Sequence, residues 1–88
     1  MIYFLIPAFN DAVNLEVLIK NIVNFAGLKG NKIIVINDGS TDKTREAGKM
    51  IKKKFKTFHM IGYKKNGGPG KAFRFGFNYV VPKLTNND

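Results

Sequence analysis

Two short apolar runs, each stopped by turn-forming residues, restrict this chain more than any other feature. Ile2-Tyr3-Phe4-Leu5-Ile6 is closed by Pro7, and Lys32-Ile33-Ile34-Val35-Ile36 stops at Asn37-Asp38-Gly39-Ser40. Neither run alternates polar with apolar residues. Each therefore reads as a strand buried on both faces, as in a parallel sheet covered by helices. A third and weaker run, Phe58-His59-Met60-Ile61, ends at Gly62.

The segments between these runs have a helical period. Leu15, Leu18, Ile19, Ile22, Val23 and Ala26 form one stripe, with Asn10 or Asp11 placed to cap its start. Gly27 and Gly30 suit its far end. After the second run, Ser40 or Thr41 can cap a helix whose buried stripe is Ala47, Met50, Ile51 and Phe55. A last helical pattern, Lys71 to Val81, carries Ala72, Phe73, Gly76, Phe77 and Val80, with Phe73, Phe77 and Val80 sharing a face expected to pack on the sheet, and is expected to end near Pro82. The order β-α-β-α-β-α implies an α/β fold with a parallel sheet and right-handed crossovers. Residues Lys83 to Asp88 read as a connection, and a three-stranded open sheet calls for a further strand.

With 88 residues there is room for one small domain. The chain has no Cys, which excludes disulfides, thiolate zinc sites and cysteine nucleophiles together. The weakly charged stretch Met1–Asn10 is too short to span a bilayer and lacks the layout of a signal peptide, so the chain reads as cytoplasmic. Lys and Arg total 15 against 6 Asp and Glu, a formal charge of +9 that favours a polyanionic partner. Lys49, Lys52, Lys53, Lys54 and Lys56 crowd one segment, where a solvated helix face is the ordinary explanation. The basic and aromatic mixture of Lys71 to Tyr79 keeps a nucleic-acid-binding module open as a second reading.

Ligands of open parallel sheets bind beyond the carboxyl ends of the strands. Three unusual loops fall at those ends: Pro7-Ala8-Phe9-Asn10-Asp11, Asn37-Asp38-Gly39-Ser40-Thr41-Asp42, and Asn66-Gly67-Gly68-Pro69-Gly70-Lys71. Singly, each is ordinary turn and capping chemistry. The third is glycine-rich ahead of a helix, so its amides suit an anion. It is not a Walker A loop, because Lys71 is not followed by Ser or Thr, and it is not G-x-G-x-x-G.

Taken in order and at their separations, the three blocks resemble the inverting family 2 glycosyltransferases. The resemblance covers roughly the first 80 residues, boundaries being the least certain part. It implies a Rossmann-like GT-A half that binds a nucleoside diphosphate sugar, UDP first and GDP second. The third block, with Pro69 and Phe73, is most similar to the branch that loads sugars onto polyprenyl phosphates. Residues 1–88 would then be the nucleotide-binding portion of a longer domain, cut before its next strand.

The resemblance also implies roles. Pro7, Ala8 and Phe9 match the segment lining base and ribose, and Asp11 matches the acid near ribose and phosphates. Asp38, followed by Gly39 and Ser40, matches the acid that accepts from the uracil imide N–H, with Asn37 in place of the more usual first Asp. Gly67, Gly68, Gly70 and Lys71 match the loop near diphosphate and sugar, with Arg74 as a further phosphate contact. His59 reads as a strand residue and not as a ligand. The family's Asp-x-Asp metal motif and its catalytic base lie beyond Asp88. No catalytic residue and no metal ligand is therefore expected in this chain, and a divalent Mg or Mn ion is expected only in a complete enzyme. A polyprenyl-phosphate acceptor would also let the basic patch face an anionic membrane surface.

Overall fold

A computed structural model describes residues 2–27 and 30–85. The elements follow in the order β1 (Tyr3–Ala8), α1 (Ala12–Ala26), β2 (Lys32–Asp38), α2 (Thr44–Lys54), β3 (Phe58–Tyr63) and α3 (Gly68–Thr85). The three strands form one parallel sheet in the order β1-β2-β3. Tyr3 lies opposite Lys32, and Ile33 opposite Phe58.

β2 is the strand foreseen from its continuous apolar run. Ile33, Ile34, Val35 and Ile36 are all buried, because helices cover both of its faces. Ile33 and Val35 meet Leu15 and Ile19 of α1 and Ile51 of α2. Ile36 points to the other face, against α3. β1 is only half-buried along Tyr3 to Pro7, since it is an edge strand with one open side.

β1 also runs through Pro7 to Ala8 and does not close there. The ladder explains the extension. Lys32 donates its N–H to the Ile2 carbonyl, so even-numbered β1 residues turn their backbone toward β2. Pro7 then faces the open edge, where its missing N–H costs no ladder bond.

α3 departs furthest from expectation. Its sheet-facing residues are Ala72, Gly76 and Val80, whereas Phe73 and Phe77 stand 41% and 56% exposed. Small residues let the helix approach closely: a Cβ on Gly76 would sit 2.9 Å from Ile36 Cδ1 and 3.6 Å from Leu5 Cδ2. The two phenylalanines share the helical period but are displaced around the axis from that stripe. The helix also passes through Pro82 to Thr85 instead of ending there. Residues 86–88 of the expected connection lie outside the described residues.

α2 shows the same preference for small residues. Thr44, Gly48 and Ile51 are buried, with Ala47 and Phe55 partly so, while Met50 is 54% exposed. Gly48 makes room for Met60 of β3, whose Cε would lie 2.6 Å from an added Cβ.

Replacing Gly76 by Leu should destabilise the fold by about 1–3 kcal/mol through overpacking against Ile36. Met50→Ala, at an exposed site, should change stability by less than about 0.5 kcal/mol. Urea denaturation followed by circular dichroism separates the two.

Candidate functional site

The loops leaving β1 and β2 are tied to each other by side chains. Asn10, at φ 50°, turns its amide oxygen to accept from the Thr41 N–H at 2.8 Å and the Asp42 N–H at 3.2 Å. Its own N–H donates to Ser40 Oγ at 3.0 Å. Asp42 then serves two helices. One carboxylate oxygen accepts from the Thr44 N–H at 2.8 Å, and the other from the Ala12 N–H at 3.4 Å. Thr44 is fully buried, donates its hydroxyl to Asp42 and accepts from the Asp11 N–H at 3.1 Å.

The expected caps are thereby corrected. Neither Ser40 nor Thr41 caps α2: Lys43 holds the cap position without a side-chain cap bond, and Asp42, one residue earlier, accepts from the first N–H of α2 and of α1. Asp11 occupies the cap position of α1 without a side-chain cap bond, and its carboxylate instead accepts from Asn14 Nδ2 at 3.2 Å. At α1 the cause is tertiary, since the loop after β2 brings Asp42 to the Ala12 N–H; at α2 it is local, Asp42 lying two residues before Thr44.

A second network joins the end of β2 to the glycine-rich loop through Asp38. Its Oδ1 accepts from the Tyr63 hydroxyl at 2.6 Å and the Gly67 N–H at 2.9 Å. Its Oδ2 accepts from Asn66 Nδ2 at 2.7 Å and the Gly68 N–H at 2.9 Å. Asn66 Nδ2 also donates to the Asp38 carbonyl at 3.0 Å. Gly39, at φ 67°, packs so closely here that a Cβ would lie 2.3 Å from the Asn66 backbone nitrogen. Gly68 sits at φ 88°, a conformation that needs glycine.

Lys71 folds back over this loop. Its ammonium donates to the Lys65 carbonyl at 3.1 Å and lies 4.1 Å from the centre of the Tyr63 ring. The ring also meets Phe75 edge-on, with centroids 5.1 Å apart. These contacts set the local ionisation. The Tyr63 bond, with the Gly67 and Gly68 amides, holds the Asp38 carboxyl below the usual carboxylate range. Burial and the Asp38 bond push the Tyr63 hydroxyl up to about 12.

Between the β1 loop and the glycine-rich loop lies a cavity of about 380 Å³, lined by Pro7, Ala8, Phe9, Asp38, Asn66, Gly68 and Pro69. A larger cavity, about 840 Å³, runs along the open edge of β3 and carries Arg45, Lys49, Lys52, Lys53 and Lys64. The smaller one is the strand-end site, because it joins two of the three loops at the carboxyl edge of the sheet.

The family profile of Glycosyl transferase family 2 matches residues 3–83. The chain belongs to that family. It is 31% identical over 86 residues to a dolichyl-phosphate beta-glucosyltransferase of Saccharomyces cerevisiae, covering 89% of this chain and 26% of that protein. It is 27% identical over 86 residues to a dolichyl-phosphate beta-glucosyltransferase of Trichomonas vaginalis, covering 90% of this chain and 27% of the relative. This family 2 chain thus spans about a quarter of the length of the curated relatives it matches. Its fold matches a Pyrobaculum calidifontis mannosyltransferase solved with GDP-Man and Mn²⁺, with a TM-score of 0.81 and 17% identity, covering 89% of this chain and 24% of that one. The Rossmann-like GT-A architecture inferred from the sequence is the one observed.

Of the residues that the resemblance singles out, Pro7, Ala8, Phe9, Asp38 and Gly68 line the strand-end cavity, and Asn66 and Pro69 join them. Asp11, Gly39, Ser40, Gly67, Gly70 and Lys71 do not line it; Gly39, Ser40 and Gly67 work in the loop ties just described. Asp38 is 4% exposed with two donors on each oxygen, so an imide N–H can bond it only if one donor leaves. Gly67 and Gly68, expected to offer amides to phosphate, give them to Asp38. His59 sits on β3 with Nδ1 3.4 Å from Lys52 Nζ, and burial and nearby lysines hold its ring below the ordinary histidine range.

Asn10, Asp42, Thr44, Tyr63 and Asn66 were not singled out as site residues. Asn66 directly precedes the glycines, and that position is the one signal by which it could have been found. Tyr63 carried none, since an aromatic residue at a strand end is ordinary core.

Two predictions follow from these ties. Gly39→Ala should cost more than about 2 kcal/mol in chemical denaturation, since left-handed backbone alone costs an alanine roughly 1–2 and the Asn66 backbone blocks its methyl. The Asp38–Tyr63 bond should also set a pH window. Asp38, with its native pKa depressed, contributes stability above about pH 4 and loses it as pH falls through the native value. Tyr63, with its native pKa raised, contributes below about pH 10 and loses it as pH rises through the native value near 12. The stability gap between wild type and Tyr63→Phe should be flat between about pH 5 and 9 and narrow on both sides, as read by thermal denaturation.

Proposed function

We propose that this chain is the nucleotide-sugar-binding half of an inverting glycosyltransferase, taking a nucleoside diphosphate sugar with UDP first and GDP second. One observation carries the reading. In a family 2 chain, the β1 loop and the glycine-rich loop close a cavity at the carboxyl edge of a parallel sheet. Phe9, half-exposed at that cavity, offers a ring face to a base. Pro7 and Ala8 supply its apolar floor, and Pro69 and Gly68 its opposite side.

The acceptor proposed is a polyprenyl phosphate, in keeping with the two dolichyl-phosphate relatives. The work of this chain's own residues is to bind and orient the donor. A divalent ion, which in a complete enzyme would neutralise the leaving diphosphate, would be held by residues outside this chain. Among the described residues no group of three or more His, Asp or Glu side chains could hold a metal, and Asp38 is already saturated. The groups that place the acceptor phosphate, whose attacking oxygen is already ionised near neutral pH, are likewise assigned outside it, so the chain alone is proposed to bind and not to turn over. No described helix is long and apolar enough to cross a membrane. Contact with an anionic bilayer, near which a polyprenyl acceptor would lie, is proposed through the exposed lysines.

The cationic groove along β3, with the Tyr63 and Tyr79 rings in its lining, favours a second reading as a polyanion-binding module. Part of that charge is already engaged: Lys54 pairs with Glu16 at 2.6 Å, and Lys52 donates to the Lys56 carbonyl at 3.0 Å.

Titration of the chain with UDP-glucose, GDP-mannose and a single-stranded oligonucleotide, followed by amide NMR, separates the readings. The nucleotide-sugar reading expects shifts at Ala8, Phe9, Asn66 and Gly68. It also expects Phe9→Ala to weaken binding by about 1–3 kcal/mol, the worth of an aromatic stack on a base. Absence of any shift at these amides with either nucleotide sugar overturns it. Shifts along β3 and α2 with the oligonucleotide, lost steeply with added salt, establish the second reading instead.

A further inference from the structure

The outer side of β3 carries backbone groups with no partner. β3 ends the strand order β1-β2-β3, and among the described residues no strand pairs with its far side. The Ile33 N–H donates to the Thr57 carbonyl at 3.0 Å, so odd-numbered residues turn their backbone toward β2. Phe58, Met60 and Gly62 therefore turn theirs outward. The Phe58 N–H is taken by the Phe55 carbonyl at 3.1 Å. The Phe58 carbonyl and both backbone groups of Met60 and Gly62 stay open to a further strand.

These groups floor the cavity of about 840 Å³, between α2 on one side and Tyr79 of α3 on the other. Arg45, Lys49, Lys52 and Lys53 recur at helical spacing, so α2 presents them to the cavity as one stripe. Lys64 adds a cation at the end of β3, and no Asp or Glu stands in the lining. Like charges four residues apart destabilise a helix, and this stripe holds Arg45 with Lys49 and Lys49 with Lys53. The ion pairs among the described residues lie elsewhere, between Glu16 and both Lys20 and Lys54. The repulsion along the stripe is thus unrelieved by them.

We propose that the open edge of β3 is a docking site for an extended acidic segment of a partner protein, which adds to the sheet as a fourth strand and sets its carboxylates against the α2 stripe. The proposal goes beyond the nucleotide-sugar reading and does not rest on it, since that reading concerns the strand-end cavity.

Three arguments select this occupant. Side chains of an added strand alternate between the two faces of the sheet. Asp or Glu at every second position reaches the α2 stripe, while the residues between them lie on the side of Ile61 and Tyr79. A nucleic acid or a bilayer would use the lysines but leave the outward Met60 and Gly62 groups without a strand partner, whereas strand addition uses both. A second copy of this chain carries +9 and is repelled by the same lysines, which guard the edge against like-charged strands only.

The test titrates the chain with the hexapeptide acetyl-Glu-Val-Glu-Val-Glu-Val-amide at low salt, followed by amide NMR and hydrogen exchange. The Met60 and Gly62 amides should shift, and should exchange about tenfold more slowly at roughly ten times the Kd. Lys49→Glu combined with Lys53→Glu should weaken binding by about tenfold. Both lysines are exposed, so the fold is retained.

The absence of a response at Met60 and Gly62 overturns the proposal. Equal binding by a backbone N-methylated version of the peptide also overturns it, because charge alone would then hold the ligand. Equal binding by the Lys-for-Glu peptide does the same, because the edge would then have no acidic preference. A single-stranded oligonucleotide or a phosphatidylserine vesicle that occupies these amides at lower concentration than the peptide assigns the groove to phosphate instead. UDP-glucose shifts are read at Phe9 and Gly68, away from this edge, so either reading can fail without the other.

Discussion

Everything in this structure hangs from β2, which is hydrogen-bonded on both sides and covered on both faces. A strand in that position has no solvent-facing residue to spare, and four successive Ile or Val side chains meet the requirement. Its neighbours are positioned by it. β1 takes its register from Lys32, β3 from Ile33, and the helices on the two faces are sorted by the alternation of Ile33 and Val35 against Ile34 and Ile36. Since strand and register are fixed, the residue that leaves the sheet at its carboxyl end is fixed too. That residue is Asp38, and its buried carboxylate then dictates where the loop after β3 must run.

The site is therefore organised by side chains that bridge successive strand ends. Asn10 and Asp42 join the first loop to the second, and Asp38 joins the second to the third. The Asp42 and Asp38 bridges satisfy backbone N–H groups that helix starts would otherwise leave without partners, and the Asn10 bridge satisfies those of the loop before α2. Helix capping, loop order and cavity shape are thus one problem here and not three. A substitution in any bridge moves at least two loops, which is why a contact far from the cavity, such as Asp42 with Ala12, still bears on its shape.

The alternation of strands and helices was legible because the apolar runs and the 3.6-residue period survive in the linear sequence. Three finer features were not. The helix carrying Ala72, Phe73, Gly76, Phe77 and Val80 was legible, but its packing face was assigned to Phe73 and Phe77 with Val80; close approach selects small residues, so Ala72 and Gly76 fill the contact beside Val80 while the two phenylalanines stay exposed. The helix caps were sought among adjacent residues, whereas Asp42 reaches α1 from thirty residues away. Asp38 was legible as an important acid, yet the number of donors on it depends on Tyr63 and Asn66, twenty-five and twenty-eight positions later. Periodicity reports what an element buries; it carries no information on which loops will meet.

Exposed apolar area sharpens this picture of dependence. Phe75 turns toward Tyr63 on the β3 side of α3, while Phe73, Phe77 and Leu84 lie on a different flank of the same helix and remain exposed. β1, beneath α3, has its own open edge of half-buried Tyr3, Leu5 and Pro7. The other open edge, β3, is flanked by Lys49, Lys52, Lys53 and Lys64, a charge pattern that discourages strand pairing. The two edges are therefore not equivalent: one is guarded by charge, and the other is apolar. The strand-end cavity opens beside the apolar edge, because the loop Pro7 to Phe9 that leaves β1 forms part of its lining.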